Sequence, residues 1–347
     1  MKCSKPSIVH FHNSITRLLA QSWIWLLTFC LVACHTKPKP NGRLLPVKIN
    51  DKVGFIDQTG QKIVEPIYSD AQEPSEGMAL VMEEPEKFGF VDATTGDERI
   101  RPRFLSAWSF SGGLAQVRIG KNIGYVDKTG DVVIAPRFED GLSFSEGLAA
   151  VQENGKWGYI TPLGLYAIKP QYEMAWSFSE GLAWVKLGGK CGYIDKTGTM
   201  VISPRFDLAR SFSDSLAAVC IEEKWGFIGP DGQWRIPPTF DQCGAFSEGL
   251  APVAFKDKAG KLRWGYANKL GKLTIDTTYE GAREFSEGFA AVRKNGKWGL
   301  IDKGGNEMLS FEYDFIGPFK DGIAKVQTGR RIGYINRSGK FIWEPTS

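Results

Sequence analysis

The stretch Phe144-Ser-Glu-Gly-Leu-Ala-Ala-Val-Gln-Glu-Asn-Gly-Lys-Trp-Gly-Tyr-Ile160 decides how this chain is read. Leu148-Ala-Ala-Val151 is a short apolar strand. Asn154-Gly155 carries the signature of a tight hairpin turn. Lys156-Trp-Gly-Tyr-Ile160 is the returning strand. Upstream, Asp127-Lys-Thr-Gly130 has the composition of a second turn: the Asp side chain accepts a turn amide and Gly accepts positive φ. A third strand follows, as in Asp131-Val-Val-Ile-Ala135, and stops at Pro136, which cannot donate to a ladder. The local reading is therefore a three-stranded antiparallel meander followed by a return segment.

The same phrases recur along the chain. The first is found as Phe178-Ser-Glu-Gly-Leu-Ala-Trp-Val185, Phe246-Ser-Glu-Gly-Leu-Ala-Pro-Val253 and Phe285-Ser-Glu-Gly-Phe-Ala-Ala-Val292. The glycine of the second falls at Gly54, Gly89, Gly124, Gly158, Gly192, Gly226, Gly265, Gly299 and Gly333, at intervals of 34 or 35 residues with a single 39. The long interval contains Lys256-Asp-Lys-Ala-Gly-Lys-Leu262, a stretched hairpin loop. The unit resembles the WG, or KWG, repeat of bacterial proteins, best seen in Gly155-Lys-Trp-Gly-Tyr-Ile160 and Gly296-Lys-Trp-Gly-Leu-Ile-Asp302. The resemblance implies a β-rich repeat with an interaction role and brings no catalytic residues. Trp157, Trp225, Trp264 and Trp298 keep the tryptophan. Val53, Phe88, Ile123, Cys191 and Ile332 replace it, so the position asks for apolar bulk rather than indole chemistry.

Nine meanders of about 34 residues admit two architectures. A stacked β-solenoid or open superhelix buries each meander against its neighbours, and this is the expected fold. The alternative is a closed β-propeller, which needs nine three-stranded blades where four to eight of four strands are usual. Helical readings fail, because Gly and Pro interrupt every ~10 residues.

The N-terminal residues are of another kind. Lys2, Lys5 and Arg17 precede a 16-residue, mostly apolar run that ends in Leu31-Val32-Ala33-Cys34. A positive segment before an apolar run too short for a comfortable span reads as an export signal. Leu31-Val32-Ala33-Cys34 resembles the lipobox of bacterial lipoproteins. This implies cleavage after residue 33 and acylation of Cys34, with several acyl chains giving a stable anchor. His35 in place of an Asp favours the outer membrane. The expected organisation is a signal peptide at 1–33, a lipidated cysteine and extended tether at 34–42, and a repeat domain at 43–347.

Composition narrows the function. Without Lys2, Lys5 and Arg17, 40 basic residues face 39 acidic ones, so broad electrostatic capture of nucleic acid is excluded as a default. His10, His12 and His35 are the only histidines, so histidine triads and His-based zinc sites are unavailable to the body. An acidic residue precedes the strand glycine at Glu76, Glu146, Glu180, Asp214, Glu248, Glu287 and Asp321. The expected role is a turn residue accepting backbone amides, with a cation-binding strip as the rival. The Asp-x-x-Gly turns lack the dense oxygen ligands of calcium loops, and no metal or cofactor is expected. Cys191, Cys220 and Cys243 occupy different repeat positions, and spacing alone leaves a Cys220–Cys243 bridge open.

Most aromatics recur at fixed positions and read as core between repeats. Trp108, Trp176 and Trp184 break the pattern and form the candidate partner surface. The expectation is a non-catalytic scaffold, lipid-anchored in a bacterial cell envelope, that binds a protein or glycan. The alternatives are a hydrolase of envelope polysaccharide using a carboxylate pair, and a purely structural spacer.

Overall fold

The computed structural model describes residues 39–346. The signal at 1–33, Cys34 and most of the 34–42 tether lie outside the described residues. Those described form 35 strands, β1–β35, in nine small antiparallel sheets. Numbered in chain order, the sheets are blade 1 (45–68), blade 2 (70–104), blade 3 (106–138), blade 4 (140–172), blade 5 (174–206), blade 6 (208–240), blade 7 (242–279), blade 8 (281–313) and blade 9 (315–346). Blade 1 has three strands and each of the others four.

Blade 4 shows why the sequence folds this way. Its strands are β12 (Asp140–Gly141), β13 (Ala149–Glu153), β14 (Lys156–Ile160) and β15 (Tyr166–Tyr172). Asn154 and Gly155 both take positive φ, 51° and 71°, as the hairpin between β13 and β14 requires. Val151 therefore faces Gly158 across the ladder. The pairing of β14 with β15 is irregular: Trp157 faces Tyr172, yet Tyr159 faces Ile168. Four residues of β15 answer two of β14, and the surplus arches over Gly158. A Cβ on Gly158 would lie 2.5 Å from the Ile168 carbonyl oxygen and 2.6 Å from Pro170 N. The repeat's glycine is thus a backbone crossing point. Pro170 sits in the arch, where no amide donor is required of it.

One residue, Glu173, separates β15 from β16 (Met174–Ala175). The outgoing strand of one blade thereby supplies a short fourth strand to the next, where Ala175 pairs with Val185. This two-residue strand is the return segment of the sequence reading.

Nine buried clusters hold the sheets together, and each spans two adjacent blades. Leu148, Tyr159 and Ile168 of blade 4 pack on Phe178, Ala183 and Val185 of blade 5. The ninth cluster joins Ile323 and Tyr334 of blade 9 to Leu45, Val47 and Ile56 of blade 1. The chain therefore closes on itself as a nine-bladed β-propeller. The open solenoid expected from the repeat is corrected by this ninth interface, and the propeller alternative is the one that forms. The physical reason is that two end sheets would each leave an apolar face in water. Here those faces cover one another, down to 0% exposure at Leu45 and Tyr334 and 5% at Ile323.

A tyrosine hydroxyl marks several interfaces. The hydroxyls of Tyr125, Tyr159, Tyr193 and Tyr266 each donate at 2.8 Å to the carbonyl 17 residues on, in the next blade. Tyr334 donates at the same 2.8 Å to Pro46, 288 residues away. Arg43 adds to the closure through the Lys320 carbonyl at 2.8 Å.

Candidate functional site

The acidic positions resolve first. Glu146 takes positive φ (51°), and its Oε2 accepts from the amide of Gly181 in blade 5 at 3.1 Å. Lys196, also of blade 5, pairs with the same carboxylate at 3.0 Å. The scheme repeats with Asp214, Gly249 and Lys269, with Glu248, Gly288 and Lys303, and with Glu287, Gly322 and Arg337. Lys269 is the leading cause holding Asp214 below the usual carboxylate range. At Glu146 and Glu287 burial opposes the charge, but the basic partner and the turn amides outweigh it. These carboxylates clasp the next blade, as the turn reading expects. Serine hydroxyls do the same: Ser145 donates to the Phe178 carbonyl at 2.7 Å and Ser213 to that of Phe246 at 2.8 Å.

The three body cysteines are buried free thiols. Cys220 and Cys243 share the core cluster between blades 6 and 7 without a bridge. Burial pushes the Cys243 thiol up to about 12. Cys191 fills the tryptophan position of its blade at 3% exposure, as a packed core residue. Among the described residues no group of three His, Cys, Asp or Glu could hold a metal.

The structure brings two of the three singled-out tryptophans together. Trp176 and Trp184 stack with ring centroids 5.7 Å apart and planes 12° from parallel. Trp184 is the lower ring, half-buried against the core between blades 5 and 6. Trp176 lies over it and is 45% exposed. Its backbone is fixed at both ends: the amide donates to Trp184 at 3.2 Å and the carbonyl accepts from Tyr159. Trp108 occupies the same repeat position two blades earlier. It is exposed and stands outside this stack.

The pair lines a groove of about 500 Å³ with Arg210, Ser211 and Ser213 of blade 6, Ala245 of blade 7 and Glu284 of blade 8. Arg210 is exposed and lies over the Trp225 ring, 5.1 Å from its centroid. Glu284 Oε1 accepts from the Ala245 amide at 3.3 Å. With Ser179 of blade 5, the arrangement offers an aromatic face beside one cation, one carboxylate and three serine hydroxyls.

Sequence reading found Trp176 and Trp184 but gave no role to Arg210 or Glu284. Their signal is departure from the repeat: Glu284 stands where Ser109, Ser143, Ser177 and Ser211 stand in other blades. Arg210 takes the place of Trp108, Leu142 and Trp176.

The geometry defines a class: a closed, nine-bladed propeller of short repeats in which the irregular residues Trp176, Trp184, Arg210 and Glu284 line one groove. The model of the WG containing repeat matches residues 54–84, 88–122, 123–157, 157–191, 192–225, 225–258, 264–298 and 298–330. The chain belongs to that repeat family. No curated protein matches its sequence. Among solved structures it is similar to a eukaryotic initiation factor, with TM-score 0.63 and 9% identity over 88% of this chain and 98% of the other. It is also similar to the computationally designed Ika8 protein, with TM-score 0.50 and 12% identity over 87% and 98% of the two chains. At such identities the likeness is one of fold alone.

Proposed function

We propose that this chain is a non-catalytic binding propeller of a bacterial cell envelope, held there through Cys34, and that the Trp176–Trp184 groove takes a segment of a glycan. The anchor rests on Leu31-Val32-Ala33-Cys34 and the apolar run before it. The binding reading rests on one observation: an exposed, fixed indole face set among Arg210, Glu284, Ser211 and Ser213. A sugar ring has an apolar face bordered by hydroxyls. The indole covers the face, and the polar neighbours meet the hydroxyls. Because Trp176 is already ordered, little freedom is lost on binding. The hydrolase alternative asks for a second carboxylate facing Glu284 across the groove. Glu284 is the carboxylate among the described lining residues.

The test is binding of the purified protein to an array of bacterial surface oligosaccharides, followed by titration of any hit. Trp176→Ala is expected to weaken binding at least tenfold, about 1.4 kcal/mol, with the melting temperature nearly unchanged. Release of reducing ends would move the chain to the hydrolase class. Capture of a protein through the same tryptophans, with no oligosaccharide bound, would replace the glycan by a protein. Failure to bind either would leave the spacer.

A further inference from the structure

A second cavity, of about 170 Å³, lies between blades 8 and 9. Phe285, Phe289, Leu300, Pro318 and Phe319 give it apolar walls, and Arg283 interrupts them. The Arg283 guanidinium is held between two rings, 5.0 Å from the Trp298 centroid and 4.6 Å from that of Phe315. Its backbone is fixed as well: the amide donates to Ala291 at 3.0 Å and the carbonyl accepts from Tyr266 at 2.8 Å. Arg283 Nε is buried without a hydrogen-bond partner, and the side chain makes no ion pair with any described residue.

Arg210 gives the comparison. It fills the same repeat position in blade 6, yet it is exposed and stacks on Trp225 alone. Stacking explains Arg210. It does not explain a half-buried Arg283 whose Nε is buried without a partner beside an apolar cavity. A buried N–H of a cation left without an acceptor is costly, and an anion placed against it recovers that cost. The planar fork of arginine matches a carboxylate, and such pairs are strong where water is excluded. One guanidinium balances one charge. Glu284, at the wall shared with the tryptophan groove, opposes a dianion and is drawn toward the Ala245 amide.

We propose that this cavity binds a monocarboxylate carried on a small aromatic body, with Arg283 as the anion's partner and the phenylalanines around the ring. The same chemistry is carried by a free aromatic acid and by the C-terminal phenylalanine of a peptide. This goes beyond the glycan reading and does not depend on it, since Trp176 and Trp184 take no part.

Isothermal titration of the full chain with 3-phenylpropionate, N-acetyl-Gly-Phe, its C-terminal amide and inorganic phosphate tests it. At least one of the two acids is expected to bind saturably with one site, and the amide and phosphate at least tenfold more weakly. Arg283→Gln is expected to lose tenfold or more for the acid. Ala291→Leu, which adds bulk at the cavity wall and keeps Arg283, is expected to block it. Trp176→Ala is expected to leave the acid's affinity unchanged, which separates this site from the groove. Binding of phenylpropionate alone assigns the site to free acids. Binding of N-acetyl-Gly-Phe as well assigns it to chain ends. No binding of either acid at millimolar concentration, equal binding of the amide, or an unchanged affinity in a folded Arg283→Gln protein would overturn the proposal.

Discussion

Gly158 is required by what passes over it. A methyl group there would meet the Ile168 carbonyl at 2.5 Å, and that oxygen belongs to the backbone of β15, which is paired to β14 on either side of the arch. Neither partner is the far end of a flexible side chain, so the clash must be absorbed by moving backbone. Gly158→Ala is expected to cost roughly 1–3 kcal/mol, as overpacking does, and to lower the thermal midpoint by several degrees. Trp157→Ile at the preceding position should cost less, because Ile123 already fills the equivalent place at 0% exposure. Equal melting temperatures for Gly158→Ala and wild type would refute the crossing account. This residue-level logic was half legible in the sequence. Replacement of tryptophan by Val53, Ile123 and Cys191 revealed a demand for bulk, whereas the demand at the glycine needs the arch, which no periodicity displays. The candidate tryptophans show the complementary failure. Trp108 and Trp176 are equivalent in sequence, but equivalence in a ring places them two blades apart. Arg210 and Glu284, 74 positions apart in the numbering, meet in one groove.

The turns between the second and third long strands were readable as elements, and their chemistry sets how the protein responds to acid. Asp127 Oδ1 accepts from the Thr129 hydroxyl at 2.6 Å and from the amides of Thr129 and Asp131. Asp195 and Asp302 are held the same way, with the Thr197 hydroxyl and the Asn306 side chain as the leading causes. In Asp57 burial opposes the charge, but Thr59 and the amides of Asn41, Gln61 and Thr59 outweigh it. Each of these carboxyls is therefore more acidic folded than its ordinary value of 3.8. Groups of this kind give their full stabilisation above the unfolded value and lose it as pH falls through the folded one. The urea midpoint should accordingly be flat from neutrality to about pH 5 and fall steeply below about pH 4. Asn268 and Asn336 fill the same role without titrating, each accepting two turn amides through Oδ1. Asp127→Asn should therefore fold normally and shallow the acid limb. An acid limb unchanged by Asp127→Asn would show that the turns do not carry the dependence. That the return segment pairs as a short fourth strand, by contrast, was not legible in the sequence, because two residues such as Asp140 and Gly141 cannot display a period of two.

At the scale of the whole molecule, the count of units was legible and the closure was not. Ring closure depends on the small rotation between successive sheets. That rotation is set by how side chains such as Tyr159 and Phe178 pack, with centroids 4.9 Å apart, and not by which residues recur. The closing interface also lacks the short strand that the other eight possess. Tyr334 makes up part of the difference, because its hydroxyl reaches Pro46 directly. In blade 4 the equivalent first-strand carbonyl, that of Ala150, is occupied by the amide of Leu142. An open array and a closed ring respond differently when an interface is weakened. In an array, the terminal repeat detaches alone and the rest persists. In a ring, every blade is held from both sides, so the closing contact is as costly to lose as an internal one. Tyr334→Phe leaves a buried carbonyl unpaired and should cost about 1–3 kcal/mol. Tyr159→Phe should cost a similar amount, and both variants should unfold in one cooperative transition. Fluorescence and circular dichroism followed through the same urea titration check this. An early partial transition confined to Tyr334→Phe would mean that blades 9 and 1 are neighbours without being a true interface.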